Sequence, residues 1–295
     1  MKMKHMVIPH TAGTRVPLFN NGQLDIIPIG VGSMLAKKHF NTSFLIVKGG
    51  THILVDCGRT APEALAAMGL DLGDISTVLI THKHDDHVGG LGSLATHNRY
   101  VGMPFMKKPK LTLIAAKEFA GELWQRSLEG TLSENERAED GSGLGINDWF
   151  TVVDPLKILG EGVTAGPDDR DTYEIDYCGI HIRMMRTMHV PSQAKSWKDS
   201  AWSTGLMIDG RVFISGDTRL DMPLINEYVE KAELTFHDVA FFNDPVHAPL
   251  SELAKLPDQM KRKIELVHYG DKFAEYGVRD FAGYAVQGAT YRFEE

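Results

Sequence analysis

Across Thr81-His82-Lys83-His84-Asp85-Asp86-His87 the chain offers imidazoles and a carboxylate in the spacing His-x-His-x-Asp-His. At the chain's own histidine and aspartate frequencies, such a pattern arises by chance in roughly two chains per thousand. Imidazole nitrogen and carboxylate oxygen are the donors that suit zinc, iron and manganese. A turn leaving a strand end can aim alternate side chains into one cavity. His82 and His84 would then serve one ion, and Asp86 and His87 its neighbour. Three more candidates stand at the ends of strand-like runs: His189 after Ile180–Thr187, Asp217 after Arg211–Gly216, and His268 after Ile264–Val267. Together these five histidines and two aspartates complete the shell of a two-metal site, with Asp217 able to bridge.

Composition narrows the metal chemistry. The chain has 295 residues with 13 His but only 2 Cys, so neither a disulfide framework nor a thiolate-rich zinc site is open to it. Its net charge of −8 argues against long nucleic acids, which call for a basic footprint. A small anionic substrate, such as a nucleotide held by metal, is the expected partner. No run approaches a membrane-spanning length, and the apolar stretch Met6–Ile8 is too short for a signal peptide, so no membrane partner is expected and the chain reads as cytoplasmic. The sequence leaves homodimerisation open.

The elements that must position these residues come in two batches. Strands are predicted at Leu24–Gly32, Thr42–Val47, His52–Val55, Ser76–Ile80 and Leu111–Ala115, then at Thr151–Val153, Tyr173–Tyr177, Ile180–Thr187, Leu206–Ile208, Val212–Ser215 and Ile264–Val267. Helices are predicted at Pro62–Met68, from about Val88, at Lys117–Leu128 and at Pro223–Ala232. The pattern reads as an α/β (α+β) fold, a single domain over 1–295 in which two sheets are sandwiched by helices. The acidic, then glycine-rich stretch at 129–147 is the candidate inserted loop or arm.

The histidine motif, His189, Ser215-Gly216-Asp217-Thr218 and His268 together resemble the metallo-β-lactamase superfamily, over about Leu24 to His268. The resemblance implies a four-layer αββα sandwich of two mixed β-sheets with two divalent metals, zinc first and iron or manganese next. It would put His82, His84, His189 and Asp217 on one ion, and Asp86, His87, Asp217 and His268 on the other. Leu54-Val55-Asp56-Cys57-Gly58, Ser203-Thr204-Gly205-Leu206 and His237-Asp238-Val239-Ala240-Phe241 are similar to motifs of the branch containing ribonuclease Z and related phosphodiesterases, and His247 matches a histidine of that branch. Two departures argue against a tRNA substrate: the interval from His237 to His247 is short, and no basic arm is present, since Glu129–Asp140 is acidic.

The chemistry implied is hydrolysis of a phosphodiester, on a nucleotide or an RNA 3′ end, by a hydroxide bridging the metals. Asp86 would orient that hydroxide or take its proton, and His247, oriented by Asp238, would protonate the leaving oxygen. Competing readings are hydrolysis of a lactone, thioester or β-lactam, and a di-iron redox or oxygen-binding protein; the retained His84 favours hydrolysis. His237 reads as a supporting or packing residue, Cys57 as a small buried one, and Trp197 and Trp202 as packing in preference to a base-stacking lid. Lys107, Lys108 and Lys110 read as solubilising a strand start. The remaining six histidines are left without a role.

Overall fold

In the computed structural model, which describes residues 5–11, 13–158 and 170–294, apolar and β-branched runs take the chain through sixteen strands. The residues fall into two compact units built from interleaved stretches: Met1–Gly30, Phe40–Pro155 and Gln287–Glu295 make one, Val31–His39 and Leu156–Val286 the other. Each carries one mixed sheet with helices.

The first unit contains His5–Ile8 (β1), Leu24–Gly30 (β2), Ser43–Lys48 (β3), Thr51–Val55 (β4), Thr77–Leu79 (β5), Leu111–Ile114 (β6) and Phe150–Val153 (β7). Thr290–Phe293 (β16) joins them from the far end of the chain, giving the order β1-β16-β2-β3-β4-β5-β6-β7. Gly49, at φ 58°, lets β3 turn back into β4, and its N–H donates to the Asn20 carboxamide oxygen at 2.7 Å. From β4 to β7 the strands run parallel, so each pair needs a crossover. Ala61–Ala67 (α1) lies between β4 and β5, Asp85–Val88 (α2) and Leu91–His97 (α3) between β5 and β6, and Lys117–Leu123 (α4) between β6 and β7. Val78, Leu79, Leu111, Leu113 and Ile114 are wholly buried, as strands covered on both faces must be.

The helix read at 117–128 runs as α4 and then widens into a π-helical turn, Trp124–Leu128. The stretch 129–147 is packed against its own unit. Leu132 and Leu144 are buried, the Leu144 N–H donates to the Ser133 carbonyl at 2.8 Å, and Arg99 holds both Glu136 oxygens at 2.9 and 2.8 Å.

The second unit contains Leu156–Lys157 (β8), Thr172–Tyr177 (β9), Ile180–Arg186 (β10), Thr204–Ile208 (β11), Val212–Ile214 (β12), Leu234–Asp238 (β13), Ile264–Val267 (β14) and Gly283–Tyr284 (β15). They line up in simple succession, antiparallel from β8 to β12 and parallel from β12 to β15. Strands β1, β8, β13, β15 and β16 were not expected. Four of them have four residues or fewer, too short to show a period. The fifth, β13 (Leu-Thr-Phe-His-Asp), is buried along its whole length despite its polar members.

One arrangement decides where chemistry sits. In the first unit, Asp56 and Thr81-His82 follow the parallel strands β4 and β5. In the second, Asp217, Asp238 and His268 follow or end the parallel strands β12, β13 and β14. The carboxyl ends of parallel strands are where open α/β sheets place their ligands.

Candidate metal centre

The histidine turn of the first unit is organised around Asp56. Parallel register pairs Val55 with Leu79, so the residues just beyond both strands meet. The Asp56 carboxylate accepts from the Thr81 N–H and the Thr81 hydroxyl, each at 2.7 Å, and from His87 Nδ1 at 2.7 Å. With its proton given to Asp56, the Thr81 hydroxyl accepts from His82 Nδ1 at 3.1 Å. Both imidazoles thereby present Nε2 as their lone-pair atom, which is what a metal requires of histidine. His82 packs 4.7 Å from the His84 ring and 4.0 Å from the His87 ring, and His87 Nε2 lies 3.6 Å from Asp86 Oδ2. All four predicted residues of the motif are therefore together, three of them buried and His84 half-buried. Burial raises the Asp56 carboxyl pKa, and the His87 and Thr81 contacts act against that rise.

The second unit gathers the other predicted residues around Asp217. Its Oδ2 lies 3.8 Å from His189 Nε2, 3.5 Å from His268 Nε2 and 4.0 Å from His247 Nδ1. Its backbone carbonyl accepts from the Thr187 and Ser203 hydroxyls, each at 3.0 Å, which fixes the loop. His189 Nδ1 donates to the Val246 carbonyl at 2.8 Å, so Nε2 again carries the lone pair. Asp238 stands between two imidazoles, with Oδ2 2.8 Å from His247 Nδ1 and Oδ1 3.3 Å from His268 Nδ1. Burial would raise the Asp238 carboxyl, but His247 and His268 pull it down, to about 2. Burial likewise opposes charge on His247, and Asp238 overcomes it, so the His247 pKa is raised.

The remaining candidates divide cleanly. His237 is fully buried, gives Nδ1–H to the Asp238 carbonyl at 2.7 Å and is held neutral by burial, as befits a packing residue. Burial pushes the Cys57 thiol pKa up, which removes it as a thiolate. Trp197 and Trp202 are buried around Arg186, whose guanidinium lies 5.9 and 4.7 Å from their rings, so they pack and do not form a lid. Lys107, Lys108 and Lys110 each donate to a backbone carbonyl of their own unit, at Pro104, Gly73 and Asn147. Sequence reasoning gave Asp56 and Thr81 no role of their own. The signal for Asp56 was its position, an acid ending a buried strand as Asp217 and Asp238 do.

In both clusters the donors are imidazole and carboxylate, buried or nearly so, with ring orientation fixed from behind. That donor chemistry fits divalent-cation binding.

Comparison with known proteins gives the fold and the family. The chain aligns with solved structures sharing the fold alone: the metallo-β-lactamase fold protein YhfI of Bacillus subtilis, at TM-score 0.62 and 16% identity over 92% of this chain and 99% of that one, and the short form of human tRNase Z, at TM-score 0.60 and 17% identity over 92% and 100%. Its sequence is 32% identical over 268 residues to the anti-Pycsar protein Apyc1 of Bacillus phage BSP38, covering 89% of this chain and 96% of that protein. The family model of the anti-Pycsar protein Apyc1 matches residues 24–291, a finer assignment than the ribonuclease Z-like motifs allowed. With both histidine clusters and nearly the whole chain inside that match, the protein belongs to the anti-Pycsar Apyc1 family, on the metallo-β-lactamase fold.

Proposed function

We propose that the protein is a metal-dependent phosphodiesterase that opens a cyclic nucleotide. On this reading the two clusters would supply the ligands of a dinuclear centre. His82, His84, His189 and Asp217 would hold one divalent cation, zinc first, and Asp86, His87, Asp217 and His268 the other. Such a pair of ions polarises a phosphoryl oxygen and makes water acidic enough to attack near neutral pH. The observation that carries the reading is the Asp238–His247 pair beside Asp217. Phosphodiester cleavage expels an alkoxide, which needs a proton, and His247 bonded to Asp238 at 2.8 Å is the group to give it. Asp238 anchors Nδ1 and, against the opposing effect of burial, raises the His247 pKa, which favours the charged ring and would leave Nε2–H for the leaving oxygen. Asp86, beside His87, is the carboxylate that orients attacking water or takes its proton.

A small substrate is favoured over RNA by the net charge of −8 and by the acidic stretch Glu129–Asp140. The relatives' description as anti-Pycsar proteins agrees with destruction of a cyclic-nucleotide signal. The test is metal analysis followed by turnover of a panel of cyclic nucleotides and of bis(p-nitrophenyl) phosphate. His247→Ala should cost about 100-fold on a cyclic nucleotide and much less on the activated ester, whose leaving group needs no acid. Metal-replete protein inert on every member of the panel would overturn the reading.

A further inference from the structure

Asp56 holds the two ends of the histidine turn, through Thr81 and His87. The middle of the turn, where Lys83 stands between His82 and His84, is held from another element of the same unit. The Lys83 ammonium pairs with the Glu122 carboxylate on α4, and the Lys83 carbonyl accepts from the Ser127 hydroxyl at 3.4 Å, a long bond. Arg126 approaches the same Glu122 oxygen at 3.5 Å. The Lys83 and Glu122 side chains are only 23% and 31% exposed, so their pair is less screened than one at the open surface.

Both attachments depend on how the helix winds. Side chains five residues apart on an α-helix diverge by about 140°, so Glu122 and Ser127 would point away from any common neighbour. Through Trp124–Leu128 the helix instead takes a π turn, with the Glu129 N–H donating to the Trp124 carbonyl five residues back, and this narrows the divergence. The platform beneath is fixed, since Phe119 and Leu123 are wholly buried and Trp124 and Leu128 nearly so. A π turn inside an α-helix is frequently a functional feature, and this one meets the histidine turn.

We propose that Glu122 and Ser127 are positioning residues of the metal centre, acting through Lys83 to set the spacing of His82 and His84. This role rests on His82 and His84 being ligands of one ion, as proposed above. A sign separates it from simple electrostatics. A lysine beside a metal site repels the cation, so by charge alone its removal tightens binding. Where the ammonium is the handle by which α4 holds the turn, its removal loosens binding.

Zinc affinity is measured by competition with a chromogenic chelator in wild type, Lys83→Met, Glu122→Gln and Ser127→Ala, and the cobalt(II)-loaded proteins are compared by visible absorption, which reports ligand geometry. All three side chains are half-buried, and urea midpoints check that each variant is folded. Lys83→Met and Glu122→Gln should each weaken zinc by about 10-fold and alter the cobalt spectrum, with the double variant no weaker than either alone. Ser127→Ala should cost about 2- to 3-fold, in keeping with its longer bond. Lys83→Arg, which keeps the pair with Glu122, should bind zinc as wild type does. Lys83→Met that binds zinc as tightly as wild type, or more tightly, overturns the brace, as does a cobalt spectrum unaltered in both Lys83→Met and Glu122→Gln. Zinc binding indifferent to His82→Ala and His84→Ala would instead overturn the ligand assignment beneath it, so the two failures are distinct.

Discussion

Asp56 spends one carboxylate on three hydrogen bonds, two to Thr81 at the start of the histidine turn and one to His87 at its end. Replacing it by Asn keeps the shape but offers one acceptor oxygen in place of two. Asp56→Asn should lower zinc affinity by about 10- to 100-fold, read by competition with a chromogenic chelator, with the far-ultraviolet circular dichroism unchanged. The ligands of the turn were legible because their spacing is local: His82, His84, Asp86 and His87 sit within one bend. Asp56 was not, because its role depends on the register of β4 against β5 and on a backbone φ of 60°, neither of which leaves a local pattern. The partners of His189 show the same limit from the other side. Its Nδ1 is fixed by a backbone carbonyl, at Val246, and no residue type announces a carbonyl.

Among the elements, the turn after β4 depends on glycine for clearance. A Cβ on Gly58 would meet the Asp86 carbonyl oxygen at 2.0 Å, and one on Gly90 would meet the Gly58 carbonyl oxygen at 2.5 Å. Gly58→Ala must push the backbone of a proposed ligand aside. It should destabilise the protein by about 1–3 kcal/mol in urea denaturation and release zinc more readily than wild type. The acidic stretch has its own anchor, with Arg99 bonded to both oxygens of Glu136 and to the Asp148 carbonyl at 2.9 Å. Arg99 and Tyr100 together hold the Glu136 carboxyl down to about 2. Arg99→Ala should make the 133–145 segment cleave several-fold faster in limited proteolysis while leaving metal content intact. From the sequence this stretch looked like an arm, because acids and glycines without periodicity are the mark of a loop. What could not be read was that Leu132 and Leu144 anchor it in the core. Strand β13 escaped notice for a related reason. Thr235 and His237 are buried polar residues, and burial that tertiary structure imposes overrides local pattern.

At the scale of the whole molecule, burial of neutral histidine makes the metal-free protein sensitive to acid. His237 and His52 both have pKa values lowered, in each case first by burial. A lowered folded pKa means the unfolded chain takes up the proton first, so the stability these groups confer is present above about pH 6.5 and is lost as pH falls below it. His247 has the opposite sign, its raised pKa favouring the folded state at lower pH. Comparison with a variant isolates one term. Between pH 7.5 and 5.5 the metal-free wild type should lose stability more steeply than His237→Gln, by at most about 1.4 kcal/mol per pH unit. Equal slopes in urea denaturation would remove His237 from the account. The mixed sheets and their helices were broadly legible, since apolar runs mark buried strands wherever they fall. The closure of the first sheet was not, because β16 pairs His5 with Phe293 and Ile26 with Tyr291, partners hundreds of residues apart.

That closure orders events in time. A ribosome making this chain releases every strand of the second unit before it reaches Thr290, and until then β2 has no neighbour on one side and β1 has none at all. The sheet that carries the histidine turn is thus completed only after every strand of the second unit has been made, and Arg292, bonded to both oxygens of the buried Asp25 at 2.8 Å, latches it. A chain stopped at residue 287 should be captured by chaperones or degraded even though all seven proposed metal ligands have already been synthesised.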